Sequence, residues 1–326
     1  MVPETVLVVG STGLVGRAAV RALANRGHSV RALVRRPEAA EQFHGPGLSA
    51  VVGDLTGRGD WEAAMSGVTA VVDATQVRAP GRFTLRKARR GAEERTRMAS
   101  FLLSRIRAQT TPLRAYVALS GLEDYVSTGD AWFDESTPAA AEPFGYSHLS
   151  AGSRPLLDAA RREWGLPLVM LRMGLIYGPS GWFPDFADRI RRGRGVLVGS
   201  GANYSSLVSS RDVGEAVRAA VEVAPRGEEF LITDDEPMTQ RDWQGILAMQ
   251  LGRPPILRKV PFWLASLTAG RVNAETFASS RRARNQRAKE RLGFQPALPT
   301  VRQGFPVALA DAGMVSHGTD LTRRTQ

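Results

Sequence analysis

Three glycines near the start of the chain are spaced to hold a phosphate group. Gly10, Gly13 and Gly16 follow an apolar run typical of a strand, and a helical pattern begins directly after them. Glycines in such a turn let the backbone approach a pyrophosphate closely, and the helix start offers free N–H groups. The spacing predicts a dinucleotide-binding loop, the alternative being a turn that serves only close packing. Its candidate contacts are Gly10, Thr12, Gly13, Leu14, Val15 and Gly16.

Two adjacent arginines follow the second predicted strand, where the type of cofactor is decided. A carboxylate there would accept hydrogen bonds from a ribose 2′-hydroxyl, whereas a guanidinium pairs with a 2′-phosphate. The chain has Arg35 and Arg36 at this point and no acid. It therefore favours NADP(H), the alternative being two solvated surface arginines. Asp54, after the third predicted strand, is a candidate acceptor for the adenine amino group or a turn-forming residue.

The elements that must position these residues alternate between strand and helix. Apolar runs predict strands over 5–9, 29–34, 48–52, 69–74, 113–119 and 166–171, with a further short strand over 230–233. Helical patterns lie between them, the longest over 82–107 and 150–164. Pro155 is tolerable only in a first turn, so the second of these helices is expected to begin nearer Arg154. Such alternation with short connections predicts an α/β fold with a parallel sheet covered on both faces.

The pattern changes after about residue 177, where prolines and glycines punctuate a loop. We predict a Rossmann domain for NADP over 1–178 and a substrate-binding region over 179–313. Late Rossmann elements at about 205–235 interrupt that region. The polar residues 314–326 are predicted to be a disordered tail.

The composition excludes several function classes. The 326 residues include no cysteine, which removes disulfides and thiolate chemistry, and the four histidines have no metal-ligand spacing. The net charge of +11 comes almost wholly from arginine, but the basic residues form no single block, so a nucleic-acid partner is not expected. No apolar run is long enough to cross a membrane, and the N-terminus lacks a secretory pattern. We expect a cytoplasmic protein without a metal or membrane partner.

Several motifs in order resemble the extended short-chain dehydrogenase/reductase family, over roughly residues 5–305. These are the glycine motif at 10–16, Gly53-Asp54-Leu55, Asp73-Ala74-Thr75, Asp134-Glu135-Ser136-Thr137-Pro138, the segments 171–179 and 208–213, and Leu292-Gly293-Phe294-Gln295-Pro296. The resemblance implies a Rossmann-type doubly wound sheet with a small, mostly C-terminal substrate region. It also implies cofactor contacts from Asp54, Leu55, Ala74, Thr75 and Gln76.

Family members usually reduce carbonyls with a Ser or Thr, a Tyr and a Lys. The Lys lowers the pKa of the Tyr, which delivers the proton. In this chain Tyr146 matches the Tyr, but Ser150 stands where the Lys belongs, and no lysine exists between 87 and 259. Gly121 falls on the Ser position, with Ser120 one residue early. The resemblance thus leaves Ser120, Tyr146 and Ser150 as catalytic candidates. A second registration places Phe144 on the Tyr and His148 on the Lys.

Without the lysine, a phenol beside the substrate ketone could supply the proton. In this the chain resembles triad-deficient ketoreductases of aromatic polyketides, including those of angucyclinone type. The resemblance implies an NADPH-dependent ketoreductase of antibiotic biosynthesis that acts on a bulky aromatic ketone. The alternatives are a non-enzymatic NADP(H)-binding sensor and a nucleotide-sugar epimerase or dehydratase.

The aromatic residues Trp182, Phe183 and Tyr204 could line a flat apolar pocket for such a ketone, the alternative being ordinary packing. Two helices through which relatives often dimerise start near residues 82 and 148. Here one is crowded with arginine, and the other carries Gly152 and Pro155. We therefore expect a monomer rather than a homodimer.

Overall fold

A parallel sheet of seven strands forms the centre of the residues that the computed structural model describes, 2–77 and 81–315. All of its strand pairs are parallel. In chain order the strands are β1 (Thr5–Val9), β2 (Ser29–Val34), β3 (Leu48–Val52), β4 (Ala70–Asp73), β5 (Ala115–Gly121), β6 (Leu168–Met173) and β7 (Glu229–Ile232).

The strand order across the sheet is β3-β2-β1-β4-β5-β6-β7. The chain builds outward from β1 to β3 and then crosses back to start the other half at β4. The order therefore reverses between β1 and β4, and open α/β sheets bind ligands in the crevice at the carboxyl ends of such strands. The predicted Rossmann-type, doubly wound parallel sheet is confirmed.

The strands are apolar at almost every position because both faces of the sheet are covered. In β1, Val6 and Val8 belong to the core on one face, whereas Leu7 and Val9 belong to the core on the other, and all four are fully buried. A strand buried on both sides has no polar alternation to blur its ends. The predicted bounds of β1 accordingly match the structure, and so do those of β2 and of the partly exposed edge strand β3.

Helices cover both faces of the sheet. Within the two described ranges they are α1 (Leu14–Asn25), α2 (Pro37–Ala40), α3 (Trp61–Met65), α4 (Leu85–Ala108), α5 (Ser147–Ser150), α6 (Ser153–Trp164), α7 (Trp182–Arg191), α8 (Ser210–Val223), α9 (Gln240–Gln250), α10 (Phe262–Ala269), α11 (Arg271–Ala278), α12 (Gln286–Leu292) and α13 (Val301–Asp311). Helices α1 and α8 pack together on one face, and α4 and α6 on the other. Helix α6 has Pro155 in its first turn, where a missing N–H costs no hydrogen bond.

Short strands and helices build the C-terminal part around an aromatic core. Leu175–Tyr177 pairs with Leu207–Ser209, Val196–Val198 with Arg258–Val260, Tyr204–Ser205 with Met238–Thr239, and Trp132–Phe133 with Arg282–Ala283. Strand β7 returns to the central sheet from within this part of the chain.

The end of the chain is only partly described. Met314 and Val315, the last two described residues, pack against the C-terminal core. The rest of the predicted disordered tail, 316–326, lies outside the described residues. None of the described helices is both long enough and apolar enough to cross a membrane.

Candidate active site

The glycine loop between β1 and α1 is packed too closely for side chains at two of its three glycines. Gly10 has a φ of +75°, and a Cβ there would overlap the Ala74 carbonyl at the end of β4. A Cβ at Gly16 would overlap the Gly10 carbonyl. The Ser11 hydroxyl ties the loop to β2 by donating to the Leu33 carbonyl at 2.6 Å. The loop is therefore held against the crevice where the strand order reverses.

The start of α1 is open for an anion. Gly13 caps the helix without a side-chain hydrogen bond, and the first turn carries no acidic residue. The first N–H groups of a helix have no intrahelical partner and lie at the positive end of its dipole. The cradle that only glycine fits and this open helix start both suit a pyrophosphate, so the residues present fit a dinucleotide.

Arg35 and Arg36 lie at the end of β2, next to the crevice. Both are exposed, and neither guanidinium hydrogen-bonds or pairs with another residue in the ranges that the structure describes. Arg31 on the same strand behaves differently, because its guanidinium donates to the carbonyls of Ala63 and Ala64 at 3.0 and 3.2 Å. Two guanidinium groups are thus available for a 2′-phosphate.

Asp54 forms a turn. Its Oδ1 accepts hydrogen bonds from the Thr56 N–H at 2.9 Å and the Arg58 N–H at 3.3 Å, and its Oδ2 lies 3.5 Å from the Arg58 guanidinium. The hydrogen bond from the Thr56 hydroxyl leads the effects that lower the pKa of Asp54. The turn-forming alternative is therefore realised, and the adenine contact remains a prediction. Leu55 is buried in the core.

The segment after β4 is fixed by one carboxylate. Asp73 accepts from the Thr75 N–H at 3.1 Å, the Thr75 hydroxyl at 2.5 Å and the Tyr116 hydroxyl at 3.1 Å. These bonds hold Ala74 directly beside Gly10 and leave Gln76 exposed. The predicted cofactor contacts Ala74, Thr75 and Gln76 therefore lie at the edge of the crevice.

Ser120 and Ser150 come together on the buried Asp124. The Ser150 hydroxyl donates to Asp124 Oδ1 at 2.9 Å, and the Ser120 hydroxyl donates to Asp124 Oδ2. Arg172 on β6 pairs with the same carboxylate and, at 2.9 Å, with Glu229 on β7. Both serine hydroxyls thus hydrogen-bond to the carboxylate of an ionic network formed by Asp124, Arg172 and Glu229.

Tyr146 is not part of this network. Its hydroxyl donates to the Asn273 side-chain oxygen on α11 at 2.8 Å. Burial raises the pKa of Tyr146, and the carboxyl of Glu123 raises it further. No cation in the described residues offsets these effects, so Tyr146 remains a protonated hydrogen-bond donor.

The second registration involves residues on either side of Tyr146. Phe144 is half-buried, and its N–H donates to the Ser147 hydroxyl at 2.7 Å. His148 Nε2 lies 3.5 Å from Glu275 Oε2 on α11. Neither residue contacts Asp124, Ser120 or Ser150 in the structure.

Glu123 and Asn273 are two polar residues at this place that the sequence patterns did not indicate. A Cβ at Gly121, the Ser position, would overlap Glu123 Oε2. The available signal was a glycine at the Ser position followed by an acid two residues later. Asn273 gave no signal, since it meets Tyr146 only through the fold.

The family of the chain follows from a family-model match that covers most of the residues described above. The model of the NAD dependent epimerase/dehydratase family matches residues 6–233, which include the glycine loop, Arg35, Tyr146 and Ser150. The chain belongs to this family. As an epimerase/dehydratase family member it is an NAD(P)-dependent oxidoreductase, and the expected place among the extended short-chain dehydrogenases/reductases is confirmed.

Curated relatives of this family member include two reductases. A 3-diazoavenalumate denitrifying reductase from Streptomyces sp is 32% identical over 92% of this chain and 98% of its own length. A 4-hydroxy-2-methyl-3-oxo-4-farnesyl-3,4-dihydroquinoline-1-oxide ketoreductase from Stigmatella aurantiaca is 29% identical over 80% of this chain and 78% of its own length.

Solved structures of this family agree with the fold. The human epimerase family protein SDR39U1 with NADPH superposes with a TM-score of 0.76 at 22% identity, covering 95% of this chain and all of its own. The UDP-glucuronic acid 4-epimerase from Bacillus cereus, in complex with UDP-glucuronic acid and NAD, has a TM-score of 0.77 at 15% identity, covering 95% and 99%. At these identities the likeness concerns the fold alone.

The aromatic residues predicted to bind substrate lie in different environments in this family member. Phe183 is fully buried in the C-terminal core, as in the alternative of ordinary packing, and its contact with substrate stays a prediction. Trp182 is half-buried, and its indole N–H donates to the Ile176 carbonyl at 2.6 Å. Tyr204 is half-buried beneath the Arg282 guanidinium, 4.5 Å from its ring centre. Aromatic residues fill cores and pockets alike, so their type did not separate these roles.

Metal chemistry has no evident site in the part of the chain that the structure describes. No three or more carboxylate or imidazole side chains are grouped there in a way that could hold an ion.

Proposed function

We propose that the chain is an NADPH-dependent ketoreductase that reduces a carbonyl of a bulky aromatic polyketide without the Ser-Tyr-Lys triad. The carrying observation is the hydrogen bond from Ser150 to Asp124. Ser150, at the lysine position, therefore contacts a buried carboxylate, whereas the glycine loop keeps the features that suit a dinucleotide. The chain therefore keeps the cofactor half of the family machinery and lacks the cation that would activate Tyr146.

NADP(H) is the proposed cofactor because Arg35 and Arg36 are exposed beside the crevice and no acid stands there. Bound at the glycine loop, the reduced cofactor supplies the hydride. The N–H groups at the start of α1 would hold the pyrophosphate, and the two guanidinium groups would pair with the 2′-phosphate. The fixed segment Ala74–Gln76 closes the edge of the crevice.

The proton is proposed to come from the substrate. Tyr146 has a raised pKa and donates to Asn273, so it is a weak acid in this site. A phenol beside the ketone has its proton within reach of the carbonyl oxygen. As the carbonyl carbon accepts the hydride, its π electrons move to the oxygen, which takes the phenol proton. The resulting phenolate then regains a proton from water.

The aromatic substrate class is supported by the relatives. The name of the first reductase gives 3-diazoavenalumate and a denitrifying reduction, and the name of the second gives a 3-oxo-dihydroquinoline-1-oxide and a ketone reduction. A role in antibiotic biosynthesis, a cytoplasmic location and a monomeric state complete the proposal. The monomer is supported by the exposed arginines on α4, which include Arg86, Arg89, Arg90 and Arg97.

The test follows NADPH oxidation by the purified protein against polycyclic aromatic ketones, with and without a phenol beside the carbonyl. Turnover confined to the phenol-bearing ketones supports both the reductase and the substrate-derived proton. Equal turnover of both sets rejects the substrate-derived proton. No turnover with confirmed NADPH binding contradicts a ketoreductase of this substrate class.

A further inference from the structure

Gly121, at the place where the family usually has a serine, lies against the side chain of Glu123. Gly121 has φ −110° and ψ 166°, an extended conformation that any residue adopts. A Cβ there would lie 2.4 Å from Glu123 Oε2, so a side chain at this position would have to displace the carboxyl. A carboxyl oxygen therefore stands at the end of β5 where the family usually has a serine hydroxyl.

Glu123 is held between two glycines at the edge of the crevice. Its carboxyl covers Gly121, and a Cβ at Gly145 would come within 3.3 Å of its Cγ. Gly145 directly precedes Tyr146, so the carboxyl lies between the serine position and the tyrosine position. The residue as a whole is only partly buried.

We propose that the Glu123 carboxylic acid donates a hydrogen bond to the reacting carbonyl oxygen, in the place of the missing serine. This inference rests on the proposed ketoreductase function. In the proposed step the carboxyl donates a hydrogen bond and transfers no proton; the proton that completes the alcohol comes from the substrate phenol, which lies within reach of the same oxygen. The hydrogen bond strengthens as negative charge develops on the oxygen, which lowers the barrier.

The surroundings favour the protonated form that such a donor needs. Burial raises the pKa of Glu123, and Asp124 on the same turn acts in the same direction, whereas its own backbone N–H, Arg281 and the Thr276 hydroxyl lower it and only partly offset the rise. From the elements packed against it, Tyr146 faces it with a neutral phenol, and α11 brings Thr276 and the neighbouring Glu275. The protonated carboxyl has one O–H to donate.

The first test compares two substitutions of Glu123 in the full chain with NADPH and a phenol-bearing ketone. Glu123→Gln keeps an N–H donor of the same length, and we expect kcat within about tenfold of the parent. Glu123→Leu keeps the bulk but loses the donor, and we expect kcat to fall by about 10²–10³, as for a lost oxyanion donor. A folded Glu123→Leu protein with kcat within about threefold of the parent overturns the proposal.

The pH profile separates this role from a structural one. The activity of the parent should fall as pH rises and the Glu123 proton is lost, and the Glu123→Gln profile should lack this limb. Glu135→Gln is the matched control, since burial also raises the pKa of Glu135, but its carboxylate accepts from the Leu231 N–H at 2.8 Å. The fall in activity with rising pH should be the same in Glu135→Gln as in the parent. A limb that persists in Glu123→Gln contradicts the proposal.

A swap variant guards against loss of folding. In Gly121→Ser with Glu123→Ala, the introduced serine occupies the space that the carboxyl leaves. We expect the kcat of this double variant to be at least tenfold higher than that of Glu123→Ala alone. A double variant that is folded, by thermal melting, yet no faster than Glu123→Ala speaks against a shared hydrogen-bonding role.

A spectroscopic measurement keeps the failure of this inference apart from failure of the proposed function. The infrared stretch of a ¹³C-labelled ketone carbonyl, bound without cofactor, should shift to lower frequency in the parent and in Glu123→Gln but not in Glu123→Leu. An equal stretch in the parent and Glu123→Leu overturns the inference even when the parent turns over. Absence of turnover in the parent, with the shift present, contradicts only the proposed reaction.

Discussion

The Ser150 hydroxyl donates to Asp124 at 2.9 Å. Ser150 follows Tyr146 by four residues on the same short helical segment, at the place where the family usually has a lysine. A lysine at that place could lower the pKa of a neighbouring tyrosine through its charge. Here the position faces a carboxylate that already binds Ser120 and Arg172. The relationship explains why Tyr146 has no activating partner and directs the first prediction.

Tyr146→Phe should leave kcat within about threefold of the parent, because the hydroxyl is not expected to deliver the proton. The variant loses the hydrogen bond to Asn273, so its free energy of unfolding should fall by about 0.5–1.5 kcal/mol. Tyr125→Phe, which loses a bond to the Glu229 carboxylate, is the reference for stability and should lose about 1.5–3 kcal/mol. Steady-state kinetics and denaturant unfolding measure both effects. A kcat loss beyond about 100-fold would restore Tyr146 as the general acid.

Arg35→Ala should weaken NADPH binding by about 10–100-fold and leave NADH binding nearly unchanged. Each hydrogen bond to a charged group is worth about 1.5–3 kcal/mol, and only NADPH carries the 2′-phosphate. Arg36→Ala tests the second guanidinium, and the exposed Arg21→Ala on α1 is the control. Fluorescence titration gives the dissociation constants. Equal losses for both nucleotides would contradict the 2′-phosphate role.

Gly16→Ala should damage the loop far more than Gly13→Ala. A Cβ at Gly16 overlaps the Gly10 carbonyl, whereas one at Gly13 lies 3.2 Å from the same oxygen. Overpacking of this kind costs about 1–3 kcal/mol, and the displaced loop should bind NADPH at least tenfold more weakly. Thermal melting and NADPH titration of both variants check the order. Similar behaviour of the two proteins would show that the loop adapts without cost.

Asp234→Asn should make stability less dependent on pH. Asp234 is 1% exposed, its Oδ2 has no partner among the described residues, and burial raises its pKa well above the usual value. Since the folded pKa is raised, its stabilising contribution is complete below the unfolded pKa and is lost as pH rises through the folded pKa. The neutral amide avoids this loss, so the variant should be the more stable protein toward alkaline pH.

The matched control for this experiment is Asp188→Asn on α7, which loses a 2.7 Å ion pair with Arg192. Its stability should fall or stay level at every pH rather than rise toward alkaline pH. Denaturant midpoints from pH 4 to 9 give the comparison. Parallel curves for Asp234→Asn and the parent would mean that the buried carboxyl does not govern the pH dependence.

The sheet and the cofactor loop could be predicted because their causes are local. Strand β1 is an apolar run between Glu4 and the glycine loop, and the glycine spacing lies within seven residues. The catalytic side depends instead on distant residues. Asn273 meets Tyr146 across 127 positions, and Arg172 meets Asp124 across 48. No periodicity encodes such contacts, and the type of Phe183 suited a core as well as a pocket.

The aromatic core of the C-terminal part gives the molecule an internal optical label. The rings of Trp182 and Trp243 lie 6.2 Å apart at 78° to each other, and Phe186 and Phe277 contact Trp182 as well. Two indoles this close and rigidly held should couple their electronic transitions and produce a strong near-ultraviolet dichroism band. Such a band disappears when specific packing is lost. Loosening of the C-terminal part should therefore be visible in the native protein without any dye.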